Sequence, residues 1–173
     1  ASAADGDKYT IGICQLVQHE ALDAATQGFK DEVTKELGED AVTFDEQNAQ
    51  GDSNTCSTII NSFVSNNVDL ILANATAPLQ SAAAATTDIP ILGTSVTDYA
   101  TALDISGWSG TTGRNISGTS DLAPLSEQAA MLNELFPDAK NVGLLYCSAE
   151  ANSQYQIDVI KEELEKLTGT VED

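Results

Sequence analysis

The stretch Asp69-Leu-Ile-Leu-Ala-Asn-Ala-Thr-Ala-Pro-Leu-Gln-Ser-Ala-Ala-Ala-Ala-Thr-Thr87 constrains the fold more than any other part of the chain. Its apolar run, residues 70–73, has the length and composition of a strand buried on both faces. Pro78 sits where a helix takes its first residue, and Ala77 before it is pushed away from helical geometry. Thr76 offers a hydroxyl to the free N–H groups of a first turn. Residues 79–85 have high helix propensity. The stretch therefore reads as strand, tight turn, helix, with the helix N-terminus at the carboxyl end of a parallel strand. In an open α/β sheet small ligands bind at that edge, and a helix N-terminus there favours an anion such as a carboxylate.

The same alternation runs through the chain. A first strand is expected over 9–16 and a loop over 17–20. A helix then runs to about Gly38, with Leu22, Ala25, Phe29, Val33 and Leu37 on one stripe. A second strand is expected over 42–46, followed by a polar loop and a helix capped by Ser53 or Asn54 that carries Cys56, Ile60 and Phe63. A fourth strand is expected over 89–93. Four β-α units in succession specify a doubly wound parallel sheet. Residues 100–120 change character, with Gly107, Gly110, Gly113 and Gly118 among Ser and Thr, and suggest irregular chain, a short strand over 115–118 and a crossover.

Pro124 then opens a helix with Leu125, Ala129, Leu132 and Phe136 on one face. A buried strand is expected over 141–147 and a helix over 151–167, striped by Ile157, Ile160, Leu164 and Leu167. Gly143 and Gly169 bracket this last β-α unit at the spacing with which Gly12 and Gly38 bracket the first, and Lys161, Glu163 and Lys166 repeat Lys30, Glu32 and Lys35 at the same offset. The reading is a flexible leader (1–8), a complete first α/β lobe (9–120) and the start of a second, incomplete one (121–173). A single apolar strand with no partner would favour self-association through the second lobe.

With 27 acidic against 7 basic residues the formal charge is −20, so no basic footprint exists with which to bind nucleic acid. No apolar run reaches membrane-spanning length. The three cysteines show no metal-type spacing and read as small buried hydrophobes rather than a disulfide framework. Residues 14–23 contain no glycine, which excludes a dinucleotide fingerprint after the first strand, and no cofactor or metal is expected.

Six segments in order resemble one family: Gln15-Leu-Val-Gln-His-Glu-Ala-Leu-Asp23, Asn48-Ala-Gln-Gly-Asp52, Asp69-Leu-Ile-Leu-Ala73 with Thr76, Ser95-Val-Thr-Asp98, Asn115-Ile-Ser-Gly-Thr-Ser-Asp121 and Tyr146-Cys-Ser-Ala-Glu-Ala-Asn-Ser153. They are similar to the ABC-transporter substrate-binding proteins of the tryptophan/tyrosine-binding type, which have a type I periplasmic-binding-protein fold. Ala77-Pro78 and Tyr99 depart from the family's usual proline positions. The resemblance implies capture of a small amino acid, aromatic in type, between two lobes that deliver it to a membrane permease. It also implies an extracytoplasmic and often lipid-anchored location.

An amino-acid ligand needs donors for its carboxylate and an acceptor for its ammonium. The donors expected are Thr76, the Ala77 N–H and Ser95, with Thr97 beside them; the acceptors are Asp98 and Asp121. Thr76, Asp98 and Asp121 are equally residue types that cap helices or turns. Gln18 and His19, the single histidine, follow the first strand at the same edge, while Glu150 and Asn152 would face the cleft from the second lobe, unless Asn152 caps its helix. Two alternatives stand beside this reading. A hydrolase-like enzyme could use Cys14 with His19, or Ser95 with His19 and Asp98, but no nucleophile-elbow sequence accompanies them. The ligand-sensing core of a regulator would share the fold.

Overall fold

A computed structural model describes residues 8–168; most of the expected leader lies outside them. The chain divides into two compact units after Asp121.

The first unit is a five-stranded parallel sheet in the order β2-β1-β3-β4-β5. Its elements are β1 (Tyr9–Gln15), α1 (Glu20–Leu37), β2 (Val42–Asn48), α2 (Ser53–Ser65), β3 (Leu70–Asn74), α3 (Thr76–Ala85), β4 (Ile91–Val96), α4 (Tyr99–Ala102) and β5 (Ile116–Ser120). Chain order reverses direction across the sheet between β1 and β3, which makes that crevice the topological switch point. Central β1 and β3 bury almost every residue, as strands covered on both faces must. One face packs Ile11, Ile13 and Leu72 against Phe29 and Val33 of α1. The other packs Cys14, Ile71, Ala73 and Ile91 against Cys56, Ile60 and Phe63 of α2 and Leu79 and Ala82 of α3. Gly12 permits this second layer, because a Cβ there would stand 2.6 Å from the Phe63 ring.

Local chemistry moves several boundaries. Helix α3 begins at Thr76, two residues before Pro78, with Ala75 as its N-cap at φ 109° and no side-chain cap. Pro78 is thus the third helical residue. Its missing N–H is one that a first turn leaves unbonded anyway, so Ala77 accepts helical geometry. Thr76 is helical and buried, not a cap. Helix α2 is capped by Asp52 rather than Ser53 or Asn54: its Oδ1 accepts from the Thr55 N–H at 2.6 Å and the Thr55 hydroxyl at 2.9 Å. Those bonds, the backbone one first, hold its carboxyl below the usual range. Strand β4 starts after Pro90, which cannot donate to a ladder, and continues to Val96 through an irregularity between Gly93 and Val96.

The second unit contains α5 (Leu125–Leu135) and α6 (Ala151–Thr168), packed against each other. The strand expected over 141–147 does not form. No strand exists among the described residues of this unit to pair with it, and Val142, Tyr146 and Leu145 are exposed, Leu145 to 98%. A strand is a paired structure, so apolar composition alone cannot make one. Cys147 is accordingly exposed, not buried, and Gly143 has open space around it, unlike Gly12. Phe136 and Leu167, expected on buried stripes, are 60% and 46% exposed.

Candidate functional site

Because all five strands are parallel, the segments after β1, β3, β4 and β5 emerge at one edge of the sheet. After β1 come exposed Gln18 and His19. His19 is the N-cap of α1, its Nδ1 accepting from the Ala21 N–H at 3.2 Å. Next to it, across the switch point, stands the N-terminus of α3. No side chain caps it and Pro78 has no N–H, so its first turn presents the N–H groups of Thr76 and Ala77. The partial positive charge of that terminus suits an anionic group.

Near the carboxyl end of β4 the backbone is strained. Ser95 is held at φ 54°, and Ala75 and Gln50, at φ 109° and 54°, lie at the same carboxyl edge of β3 and β2. Non-glycine residues at positive φ are costly, so the surrounding fold must hold these three in place. Thr97 is buried and its carbonyl accepts from the Ser120 hydroxyl at 2.9 Å. Asp98 is the N-cap of α4, its Oδ1 accepting from the Thr101 N–H at 2.7 Å. Asp121 is exposed at the end of β5, its N–H bonded to the Val96 carbonyl at 3.0 Å. Tyr99 donates its hydroxyl to the Thr119 carbonyl at 3.2 Å. Burial first, and the Asp121 charge second, push the Tyr99 phenol up to about 12. Gly93 and Gly118 make room for that hydroxyl, which a Cβ on either would meet.

The edge of the first unit therefore assembles Gln18, His19, Thr76, Ala77, Ser95, Thr97, Asp98 and Asp121. Glu150 and Asn152 belong to the second unit. Glu150 accepts from the Ser153 hydroxyl at 3.3 Å; Asn152 lies inside α6, which starts at Ala151, and so is not its cap. Beneath the edge lies a group the sequence did not single out. Gln15, Thr26 and Asn74 are 5%, 3% and 0% exposed, and their side chains bond to one another across β1, α1 and β3. Polar residues ending two adjacent buried strands were the only sequence signal for them.

The enzymatic arrangements find no support in this geometry. Cys14 is fully buried, and a hydrogen bond with the Cys56 thiol, then burial, push its own thiol upward, away from a reactive thiolate. The His19 Nδ1 and the Asp98 carboxylate are engaged as helix caps. Among the described residues no group of three or more His, Cys, Asp or Glu could hold a metal ion. No helix among them is long and apolar enough to cross a membrane. A cavity of about 420 Å³ lies beside β5, lined by Tyr99, Trp108, Arg114 and Ser120 among others, away from the α3 terminus.

Comparison with known proteins identifies the family. The sequence model of a family described as ABC transporter substrate binding protein matches residues 10–173. A tyrosine-binding protein of Clostridioides difficile is 39% identical over 160 residues, covering 90% of this chain and 46% of the relative. The structure of an ABC domain in complex with L-Trp from Streptococcus pneumoniae superimposes with a TM-score of 0.86 at 34% identity, covering 96% of this chain and 56% of the other. A ligand-free, open substrate binding protein with adhesive properties from Clostridium difficile gives 0.67 at 41% identity, covering 91% and 54%. The chain thus spans about half the length of the relatives it matches.

Proposed function

The chain belongs to the ABC transporter substrate-binding protein family, with the type I periplasmic-binding-protein fold, and from that premise we propose that its carboxyl edge is half of an amino-acid site. The observation that carries the reading is the uncapped N-terminus of α3 at the switch point, beside the strained Ser95. There the ligand carboxylate accepts from the Thr76 and Ala77 N–H groups and the Ser95 hydroxyl. Its ammonium is held by Asp121, with Asp98 as the weaker partner because one Asp98 oxygen already caps α4. Gln18, His19 and Thr97 line the same edge. Glu150 and Asn152, in the second unit, complete the proposed set of ligand-contacting residues.

The relatives that bind L-Trp and tyrosine support an aromatic amino acid as ligand. Delivery to an ABC permease, an extracytoplasmic location and a lipid anchor follow from the family reading, with no catalytic step and no cofactor. The apolar residues that the second unit exposes, Leu135, Phe136 and Leu145, favour self-association of this chain, which light scattering reads directly. The functional reading is tested by a thermal-shift screen of the twenty amino acids on a full-length chain. Selective stabilisation by tryptophan or tyrosine is expected, since a ligand bound to the folded state stabilises by mass action. A full-length chain stabilised by none of the twenty would refute the reading.

A further inference from the structure

The buried group beneath the edge has a fixed direction. The Asn74 amide donates to the Leu22 carbonyl at 2.8 Å and to the Thr26 hydroxyl oxygen at 2.9 Å, with the Gln15 Oε1 at the limit of reach, 3.5 Å. Thr26 has one hydroxyl proton and gives it to the Gln15 Oε1 at 2.7 Å. With that oxygen accepting, the Gln15 amide nitrogen must face the other way. It donates to the Val17 carbonyl at 2.9 Å and the Asp23 Oδ1 at 2.6 Å. Every donor in the chain of bonds is used. Turning the Asn74 amide over would set its oxygen against the Leu22 carbonyl, so the order cannot reverse locally.

The remaining atom is informative. The Asn74 Oδ1 is buried and has no hydrogen-bond partner among the described residues. An orphaned buried acceptor is destabilising, and a hydrophobic residue would avoid it. Keeping an asparagine here at that cost points to a use for its two donors. Those donors reach from the residue before Ala75, the N-cap of α3, to Leu22 and Thr26 in the first two turns of α1. Through Thr26 and Gln15 they fix the carbonyl at which the Val17–His19 loop begins.

We propose that Asn74 and Thr26 are positioning residues that lock the loop after β1 and the N-terminus of α3 into one rigid rim, holding Gln18 and His19 at a set distance from Thr76 and Ala77. The proposal deepens the amino-acid-site reading and rests on it for its consequence in binding. A site whose walls are fixed before the ligand arrives loses less entropy on binding.

The test compares Thr26→Val, which keeps the shape and removes the hydroxyl, with Thr26→Ser, which keeps the hydroxyl. Amide hydrogen exchange is followed in the ligand-free chain. Thr26→Val should speed exchange over residues 16–23 by roughly tenfold or more while β4 stays as in the parent, and Thr26→Ser should restore protection. Dissociation constants for L-tryptophan and L-tyrosine should rise by roughly tenfold in the valine variant and return in the serine variant. Unchanged exchange over 16–23 in Thr26→Val, or equal loosening of β4, overturns the proposal. If the parent chain binds neither amino acid, the exchange comparison still decides whether the rim is locked.

Discussion

The two units of this chain use similar helices with opposite results. In the first, Phe63, Ile60 and Cys56 of α2 are fully buried because β1, β3 and β4 supply a sheet for them to cover. In the second, among the described residues, α5 and α6 pack against each other. Phe136 and Leu135 stay about 60% exposed and the apolar segment 141–147 forms no strand. The difference teaches that an amphipathic stripe specifies a helix, whereas burial of that stripe depends on a partner surface elsewhere in the chain.

The contrast can be broken most severely in its stronger half. Phe63→Ala removes a fully buried ring that fits against Gly12 and should cost about 3–5 kcal/mol in urea denaturation. Leu145→Ala, at a side chain 98% exposed, should change stability by less than about 0.5 kcal/mol. Equal costs for the two would erase the distinction between the units.

A second comparison lies within the edge itself. Asp121→Asn should weaken amino-acid binding by about 2–5 kcal/mol while leaving the unfolding midpoint nearly unchanged, as for loss of one partner in a desolvated charge pair. Asp98→Asn should cost less, because that side chain can still cap α4. Calorimetric titration of both variants decides, and the reverse order would transfer the ammonium to Asp98.

The smallest expected effect concerns Tyr99. Its folded phenol titrates near 12, above the ordinary value of 10.0, chiefly through burial. The neutral form is therefore favoured by folding. Its contribution to stability is complete below pH 10 and is lost as the pH rises from 10 to 12. Phenolate absorbance of the native protein should show a step near pH 12 that Tyr99→Phe removes. In an Asp121→Asn variant that late step should move partway back.

The alternation of apolar strand and amphipathic helix was readable from the sequence because each element of the first unit carries its own period. Boundaries were less so. Asp52, Ser53 and Asn54 are all capping residues, and only backbone geometry selects Asp52. Ala77 looked non-helical before Pro78 because the rule for residues preceding proline is statistical, and a first turn escapes it. The 141–147 segment shows what composition cannot decide, since pairing depends on residues outside it. The Gln15, Thr26 and Asn74 network leaves only polar strand ends in the sequence, because its members lie 11 and 59 residues apart and meet once the sheet forms. The candidate edge was legible because strand ends and loops mark it, whereas the caps that His19 and Asp98 form appear only in three dimensions.

The most direct test of the central claim is amide hydrogen exchange of this chain with and without saturating L-tryptophan or L-tyrosine. The account predicts ligand-dependent protection at residues 16–19, 75–79 and 95–98 and at Asp121. Protection confined to the cavity beside β5 around Trp108 and Arg114, with those four segments unchanged, would contradict it.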